Sequence, residues 1–225
     1  MTSIEMLWAD DDPHQVLQER FGFLDAGQAT RWLARSVEEH WGVEATDCTR
    51  MVISDHNALA WLTTTAGPRI AKWSVDPARF ARLHDASAVT QWLAEGGHPV
   101  SAPIPSHDGW LQVDFDGVSM NLQQVVQGDL LDCDSPDQVR EAGRVLAGLH
   151  AALLDAPPLP SVAGPDPGLA ATVRNWLGAP PPQAPAAAVT RLRQILPEDA
   201  PRRCQQLVHG GLPRRQCPGA PGPDQ

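Results

Sequence analysis

The feature that most constrains this chain is a change of period after residue 42. Up to there, apolar residues recur at helical spacing. Leu33, Val37 and Trp41 lie four apart, Ala29 sits one turn earlier, and Gly42 supplies a stop, so a helix is expected over about Gly27 to Trp41. Three short β-branched or aromatic runs follow: Met51 to Asp55, Leu59 to Thr64 and Arg69 to Val75. His56-Asn57 and Ala66-Gly67-Pro68 mark the turns between them, which gives an antiparallel three-stranded meander. Asp76 and Pro77 then suit the start of a second helix, with Phe80, Leu83, Val89, Trp92 and Leu93 on its apolar face and Gly96-Gly97 at its end. Two further strands, Trp110 to Phe115 and Ser119 to Val126, join at Asp116-Gly117. The order strand–strand–strand–helix–strand–strand describes an α+β lobe ending near Val126.

Beyond Val126 the pattern turns helical. Ser135-Pro136-Asp137-Gln138 reads as a capping box, and Val139, Ala142, Leu146, Leu149 and Leu153 share one stripe. Pro/Ala-rich stretches at 156–167 and 178–187 read as connectors around two shorter helix candidates, 169–177 and 188–196. No internal repeat is visible.

The balance of charge narrows the partners. A formal net charge of −10 disfavours a nucleic-acid backbone and leaves a cationic small molecule as the better match. The four cysteines are scattered with no CxxC pair, as expected of free thiols in a reducing compartment. No apolar run reaches the roughly 20 residues that span a bilayer, and the acidic Asp10-Asp11-Asp12 is unlike a signal peptide. These features place the chain in the cytoplasm, away from membranes; its oligomeric state is not legible.

Lys72 is the one lysine of the chain, although arginines are plentiful. Strand alternation puts Ile70, Lys72 and Ser74 on one face and Ala71, Trp73 and Val75 on the other. A lone strand lysine is ordinarily a solvated surface charge. A lysine kept in an arginine-rich composition can instead serve chemistry that arginine cannot perform.

Five local patterns occur in a telling order: Asn57 in the first strand turn, Ile70-Ala71-Lys72 on the third strand, Gln124-Val-Val-Gln-Gly128 at the end of the lobe, Gly143-Arg-Val-Leu-Ala-Gly-Leu-His150 in the helix, and Leu207-Val-His-Gly210. Together they resemble the aminoglycoside phosphotransferase and choline kinase branch of the protein-kinase-like fold, over nearly all of residues 27 to 211. The resemblance implies two lobes, a five-stranded antiparallel N-lobe with its helix and an incomplete, mainly helical C-lobe. It divides the chain into an N-terminal extension (1–26), a nucleotide-binding N-lobe (27–126), a partial C-lobe (127–210) and an out-of-family, disordered tail (211–225).

It also implies roles. Lys72 would hold the ATP phosphates, and the turn Ser54 to Asn57 would lie over them, although it lacks glycine. Val125, Val126 and Gln127 would form the hinge along which adenine binds, and Asp85 or Glu95 would pair with Lys72. Asp85 is the better candidate, about one helical step out of register. His150 falls where the family places a structural residue.

At Leu207-Val-His-Gly-Gly-Leu-Pro213 the family carries His-Gly-Asp, with an Asn five residues after the Asp; the Asp accepts the hydroxyl proton and the Asn binds Mg²⁺. Here His209 keeps the motif position, Gly211 replaces the Asp, and the Mg²⁺ ligands are missing. A one-base shift of the codons from Gly211 onward can restore Asp-Phe-Arg-x-Gly-Asn-Val-Leu, so the chain reads as frameshifted and C-terminally truncated. ATP, Mg²⁺ and a small-molecule hydroxyl are the expected ligands of the intact enzyme. The alternative reading is a non-catalytic nucleotide-binding pseudokinase or interaction module.

Overall fold

The computed structural model describes residues 2–7, 11–126, 128–129, 131–161, 175–180 and 186–195. Seven strands form one sheet: β1 (Ser3–Met6), β2 (Ala45–Ile53), β3 (Asn57–Thr64), β4 (Gly67–Ser74), β5 (Pro103–Ile104), β6 (Val113–Phe115) and β7 (Val118–Gln124). Their order is β1-β2-β3-β4-β7-β5, with β6 also paired to β7. The β2–β3–β4 meander and the β6–β7 hairpin are those anticipated from the sequence. Asp116 and Gly117, with φ of 47° and 77°, form the two-residue turn whose twist suits a hairpin. The fold class is α+β.

Two features depart from the five-stranded antiparallel expectation. β5 is only two residues long, too short to leave a periodic signal. β1 pairs with β2 in parallel, Ser3 opposite Arg50 and Met6 opposite Ile53, so the sheet is mixed. Residues before Gly27 thus add a strand to this sheet. Helix α1 (Pro13–Phe21) starts on Asp12, whose side chain accepts the His14 N–H, and stops at Gly22 in the left-handed conformation. It places Val16, Leu17 and Phe21 in the core.

Helix α2 (Ala26–Trp41) follows, capped by Asp25 through the Gln28 N–H at 2.7 Å and ended by Gly42 at φ 65°. Its stripe Ala29, Leu33, Val37 and Trp41 packs on the sheet face formed by Met51, Ile53, Ala58, Ala60, Leu62, Ala71, Trp73, Met120 and Leu122. An aromatic chain seals the layer. Trp32 lies 5.8 Å from Trp73, stacks on Phe115 at 6.0 Å and meets Phe23 at 5.2 Å, while Phe21 meets Trp73 edge-on at 6.1 Å. Gly42 is required twice over: its φ is positive, and a Cβ there would overlap the His107 ring.

The second helix expected from Asp76 opens with a 3-10 turn, Pro77–Arg79, before α3 (Phe80–Glu95). Asp76 caps that turn by accepting the Ala78 N–H at 3.1 Å. The described residues up to Arg144 group with Ala156–Ser161 as one unit, and Val145–Asp155 with the later described residues as another. Helix α4 runs from Pro136 to Ala152. At the start of α4 the Ser135 hydroxyl accepts the Gln138 N–H at 3.4 Å, but the Gln138 side chain reaches back to the Asp132 N–H at 2.9 Å, not to Ser135. Within the second unit, helix α5 (Ala186–Ile195) presents Arg193, whose guanidinium donates to the Leu177 carbonyl. Leu177 and Val189 are buried there. Among the described residues no helix is long and apolar enough to cross a membrane.

If residues before Gly27 belong to the core, Leu17→Ala must behave as a core truncation. Leu17 is fully buried, so its loss should cost about 2–5 kcal/mol. Urea unfolding followed by tryptophan fluorescence checks this, and a midpoint equal to that of the parent protein would restore the extension reading.

Candidate active site

The face of the sheet opposite α2 carries the candidate site. Because Ala71 and Trp73 point into the helical core, alternation along β4 turns Lys72 to the other side. The register then lines residues up across four strands. Val52 stands opposite Leu59, Leu59 opposite Lys72, and Lys72 opposite Asn121. Directly opposed residues share a face with their side chains adjacent, so Lys72 sits between an apolar shelf and an amide. In the next row Arg50, Trp61, Ile70 and Gln123 line up likewise. The Arg50 guanidinium lies 4.6 Å over the Trp61 ring and pairs with Glu5 on β1.

The β7 side of this face is unusual. Ser119, Asn121 and Gln123 alternate with the core residues Met120 and Leu122 and would read as a solvent face, yet all three are buried. Helix α3 packs against β5 and β7 and supplies Ser87, while Gln112 comes from just before β6. Ser87 Oγ donates to Gln112 Oε1 at 2.9 Å, Gln112 Nε2 to Ser119 Oγ at 2.9 Å, and Asn121 Nδ2 to Gln112 Oε1 at 2.8 Å and Ser87 Oγ at 3.3 Å. One atom is left over: Asn121 Oδ1 is buried with no partner. The sequence signal was the strict Ser-Met-Asn-Leu-Gln alternation, which alone does not separate a wet face from a covered one.

Lys72 is half-buried and makes no hydrogen bond or ion pair with any described residue. Burial lowers the pKa of its ammonium group below the usual lysine value, because a desolvated charge is disfavoured. The acidic partner expected on the following helix is not there. The Asp85 carboxylate on α3 is taken by Ser161, accepting its N–H at 2.7 Å and its hydroxyl as well. Glu95 is exposed at the far end of α3, where it accepts from Gln91 at 2.8 Å. Asp85 anchors a distant segment of chain, a contact no local pattern announces.

The Ser54 to Asn57 turn is tight. Ser54 N–H donates to the Asn57 carbonyl at 2.8 Å, and the His56 carbonyl accepts from Val75 N–H at 3.0 Å and Ser74 Oγ at 3.1 Å. Arg20 on α1 fixes its outer edge through Asp55 at 2.9 Å. The sequence reading missed this tether, since its two ends lie in separate elements. Asn57 opens β3 in the row of Ser74 and Ser119. Past β7, Val125 is half-buried and Val126 is 69% exposed. Gln127, His209 and Gly211 lie outside the described residues. No group of three or more His, Cys, Asp or Glu suited to a metal occurs among the described residues, so no metal ligand is assigned.

An unpaired, partly desolvated cation is costly to the empty protein. Lys72→Met keeps the aliphatic stem and removes the charge, and should raise the unfolding free energy at neutral pH by about 1 kcal/mol. The parent should also gain stability as pH rises from the lowered folded pKa towards the usual 10.5, where the unfolded chain binds the proton more readily than the folded one. Urea titrations of both proteins between neutral pH and pH 10 test this. A destabilised Lys72→Met variant would mean that what the ammonium gains from its neighbours outweighs its desolvation.

The phosphotransferase enzyme family (APH) model matches residues 52–213. No curated protein matches the chain. Among solved structures it is similar to spectinomycin phosphotransferase, APH(9)-Ia, crystallised with ADP and spectinomycin, at 12% identity and a TM-score of 0.50, covering 73% of this chain and 53% of that one. It is also similar to an aminoglycoside phosphotransferase from Alicyclobacillus acidocaldarius subsp. acidocaldarius, at 16% identity and a TM-score of 0.41, covering 67% of this chain and 46% of that one. The chain thus spans about half the length of these solved proteins. The first likeness is one of fold. With the family match running from β2 across the meander and the Lys72 row to residue 213, the chain belongs to the phosphotransferase enzyme family.

Proposed function

We propose that the parent activity of this chain is ATP-dependent phosphorylation of a hydroxyl on a small molecule, and that the chain retains the nucleotide-holding part of that machinery but is catalytically incomplete. The observation that carries the reading is Lys72, an unpaired cation beside the apolar shelf of Val52 and Leu59. That combination suits a ligand with a flat apolar part and an anionic chain, as a nucleotide has. The shelf offers a surface for the base, the hinge at Val125 and Val126 offers main-chain groups to its edge, and Lys72 offers a point charge to the phosphates. The Asn57 turn stands at the phosphate end.

In the transfer itself, the acceptor oxygen forms a bond to the γ-phosphorus as the bond to the β,γ-bridging oxygen breaks. ADP leaves, and the acceptor proton passes to a base. By the family pattern that base is an Asp two residues after His209, and this chain has Gly211 there. Mg²⁺, where bound, supplies charge neutralisation at the phosphates. Positioning and electrostatics provide most of phosphoryl-transfer catalysis, so losing the base position should leave binding with little turnover. The acidic net charge favours a cationic acceptor, and spectinomycin, bound by a structural relative, is one candidate class to try.

Gly211 specifically favours the second reading, a nucleotide-binding pseudokinase. Calorimetric titration with ATP should give saturable binding that is lost in Lys72→Ala, while radiolabelled ATP and a panel of aminocyclitols and amino alcohols should show turnover at background. Absence of ATP binding by the folded parent protein would defeat both readings. Robust Lys72-dependent phosphorylation would defeat the claim of incompleteness. Resequencing the coding DNA from the Val208 codon onward separates the remaining pair. A frame encoding Asp-Phe-Arg-x-Gly-Asn-Val-Leu identifies a disrupted kinase, and its absence makes Gly211 the native residue of a pseudokinase.

A further inference from the structure

Two orphans stand opposite each other on the face of the sheet away from α2. Lys72 has no partner among the described residues, and neither the Asp85 nor the Glu95 carboxylate of α3 is given to it. Asn121, directly opposite Lys72 in the β4–β7 ladder, is 8% exposed, and its Oδ1 is buried without a donor. The rest of the Asn121 amide is committed, since Nδ2 donates to both Gln112 and Ser87. Those bonds fix the amide with its nitrogen in the cluster, leaving the oxygen as the acceptor free for a neighbour. The opposed side chains of an antiparallel pair lie within reach of one another, and lysine has a long stem.

We propose that Asn121 is the positioning residue of Lys72: the two are not bonded in this structure, but a turn of the long lysine stem brings the ammonium to Asn121 Oδ1, which accepts its hydrogen bond and holds that group on the sheet face. A neutral amide does this differently from a carboxylate. It orients the ammonium without cancelling its charge, so the full positive charge remains for an anionic ligand, and no negative group stands beside the phosphates to repel them. The sheet neighbours of Lys72 and the partners of the charged groups on α3 are consistent with this. Val52, Leu59, Ile70 and Ser74 are uncharged, Arg50 is engaged over Trp61 with Glu5, Asp85 is held by Ser161, and His84 on α3 pairs with Asp114 of β6 at 3.0 Å. The buried circuit of Ser87, Gln112 and Ser119 is then the frame that aims the amide.

The functional side of this inference rests on the nucleotide reading of Lys72, but the contact itself can be tested without nucleotide. Lys72 is the only lysine, so acylation of the full chain, mapped by mass spectrometry to separate it from the terminal amine, reports the free-amine fraction of this one group against pH. Removing the acceptor in Asn121→Leu should lower the Lys72 pKa and speed its labelling by about tenfold, the size expected for loss of one hydrogen bond to a charged group. Replacing the acceptor with a charged one in Asn121→Asp should raise the pKa and slow labelling below the parent rate. Ser119→Ala loosens the frame that aims the amide but keeps the acceptor, so it should shift labelling in the direction of Asn121→Leu by a smaller factor, whereas a merely structural role for Asn121 does not predict opposite shifts in Asn121→Leu and Asn121→Asp. A folded Asn121→Leu protein with the parent profile overturns the proposal. If Asn121→Leu does not fold, Asn121→Asp decides, and labelling no slower than the parent overturns it. ATP titration of the same proteins keeps the two claims apart. A labelling shift without ATP binding defeats the nucleotide reading alone, whereas ATP binding without a labelling shift defeats the Asn121 contact alone.

Discussion

The two-faced character of β4 is the constraint on which the rest of the structure depends. Ala71 and Trp73 must be buried under α1 and α2, where Trp73 meets both Phe21 and Trp32. Because strand side chains alternate, burying them commits Lys72 to the opposite face, and slipping the strand by one residue would drive the ammonium into the aromatic core. The core and the candidate site are therefore two consequences of one register. The energy that fixes Lys72 is mostly hydrophobic, and it arises on the other side of the sheet.

That division of labour explains how an unpaired cation is tolerated. Its desolvation opposes folding, but the layer of aromatic and aliphatic side chains across the sheet is large enough to offset it. The neutral polar cluster beside it follows the same logic. Ser87, Gln112, Ser119 and Asn121 satisfy one another where the sheet is covered by α3, leaving a single acceptor over. A carboxylate from α3 would meet the cation more directly. In this chain Asp85 is turned to Ser161 instead, so α3 anchors a later segment and leaves the sheet itself to supply what surrounds Lys72.

Local patterns were enough for much of the fold because they are written at the period of the element itself. The α2 stripe, the Gly42 stop, the meander, the Asp116-Gly117 hairpin and the Lys72 face could all be read from a few neighbouring residues. The ordered motifs around Lys72 carried the family. Three features resisted such a reading. The β1 strand is four residues long and pairs in parallel with a strand more than forty residues away, a contact with no turn to announce it. The same holds for the tether from Arg20 to Asp55 and for the bond from Asp85 to Ser161.

The sequence by itself determined the β2–β3–β4 meander, the β6–β7 hairpin and the α2 stripe, which side of β4 carries the lysine, and which family the motifs resemble. Those properties depend on periodicity, capping and turn chemistry, all short-range. Only the tertiary structure decided that residues before Gly27 complete the core, that Asp85 serves Ser161, and that the polar side of β7 is covered and not wet. Each of these depends on which distant element lies against a given face, and an alternating strand has the same pattern whether water or a helix covers its polar side.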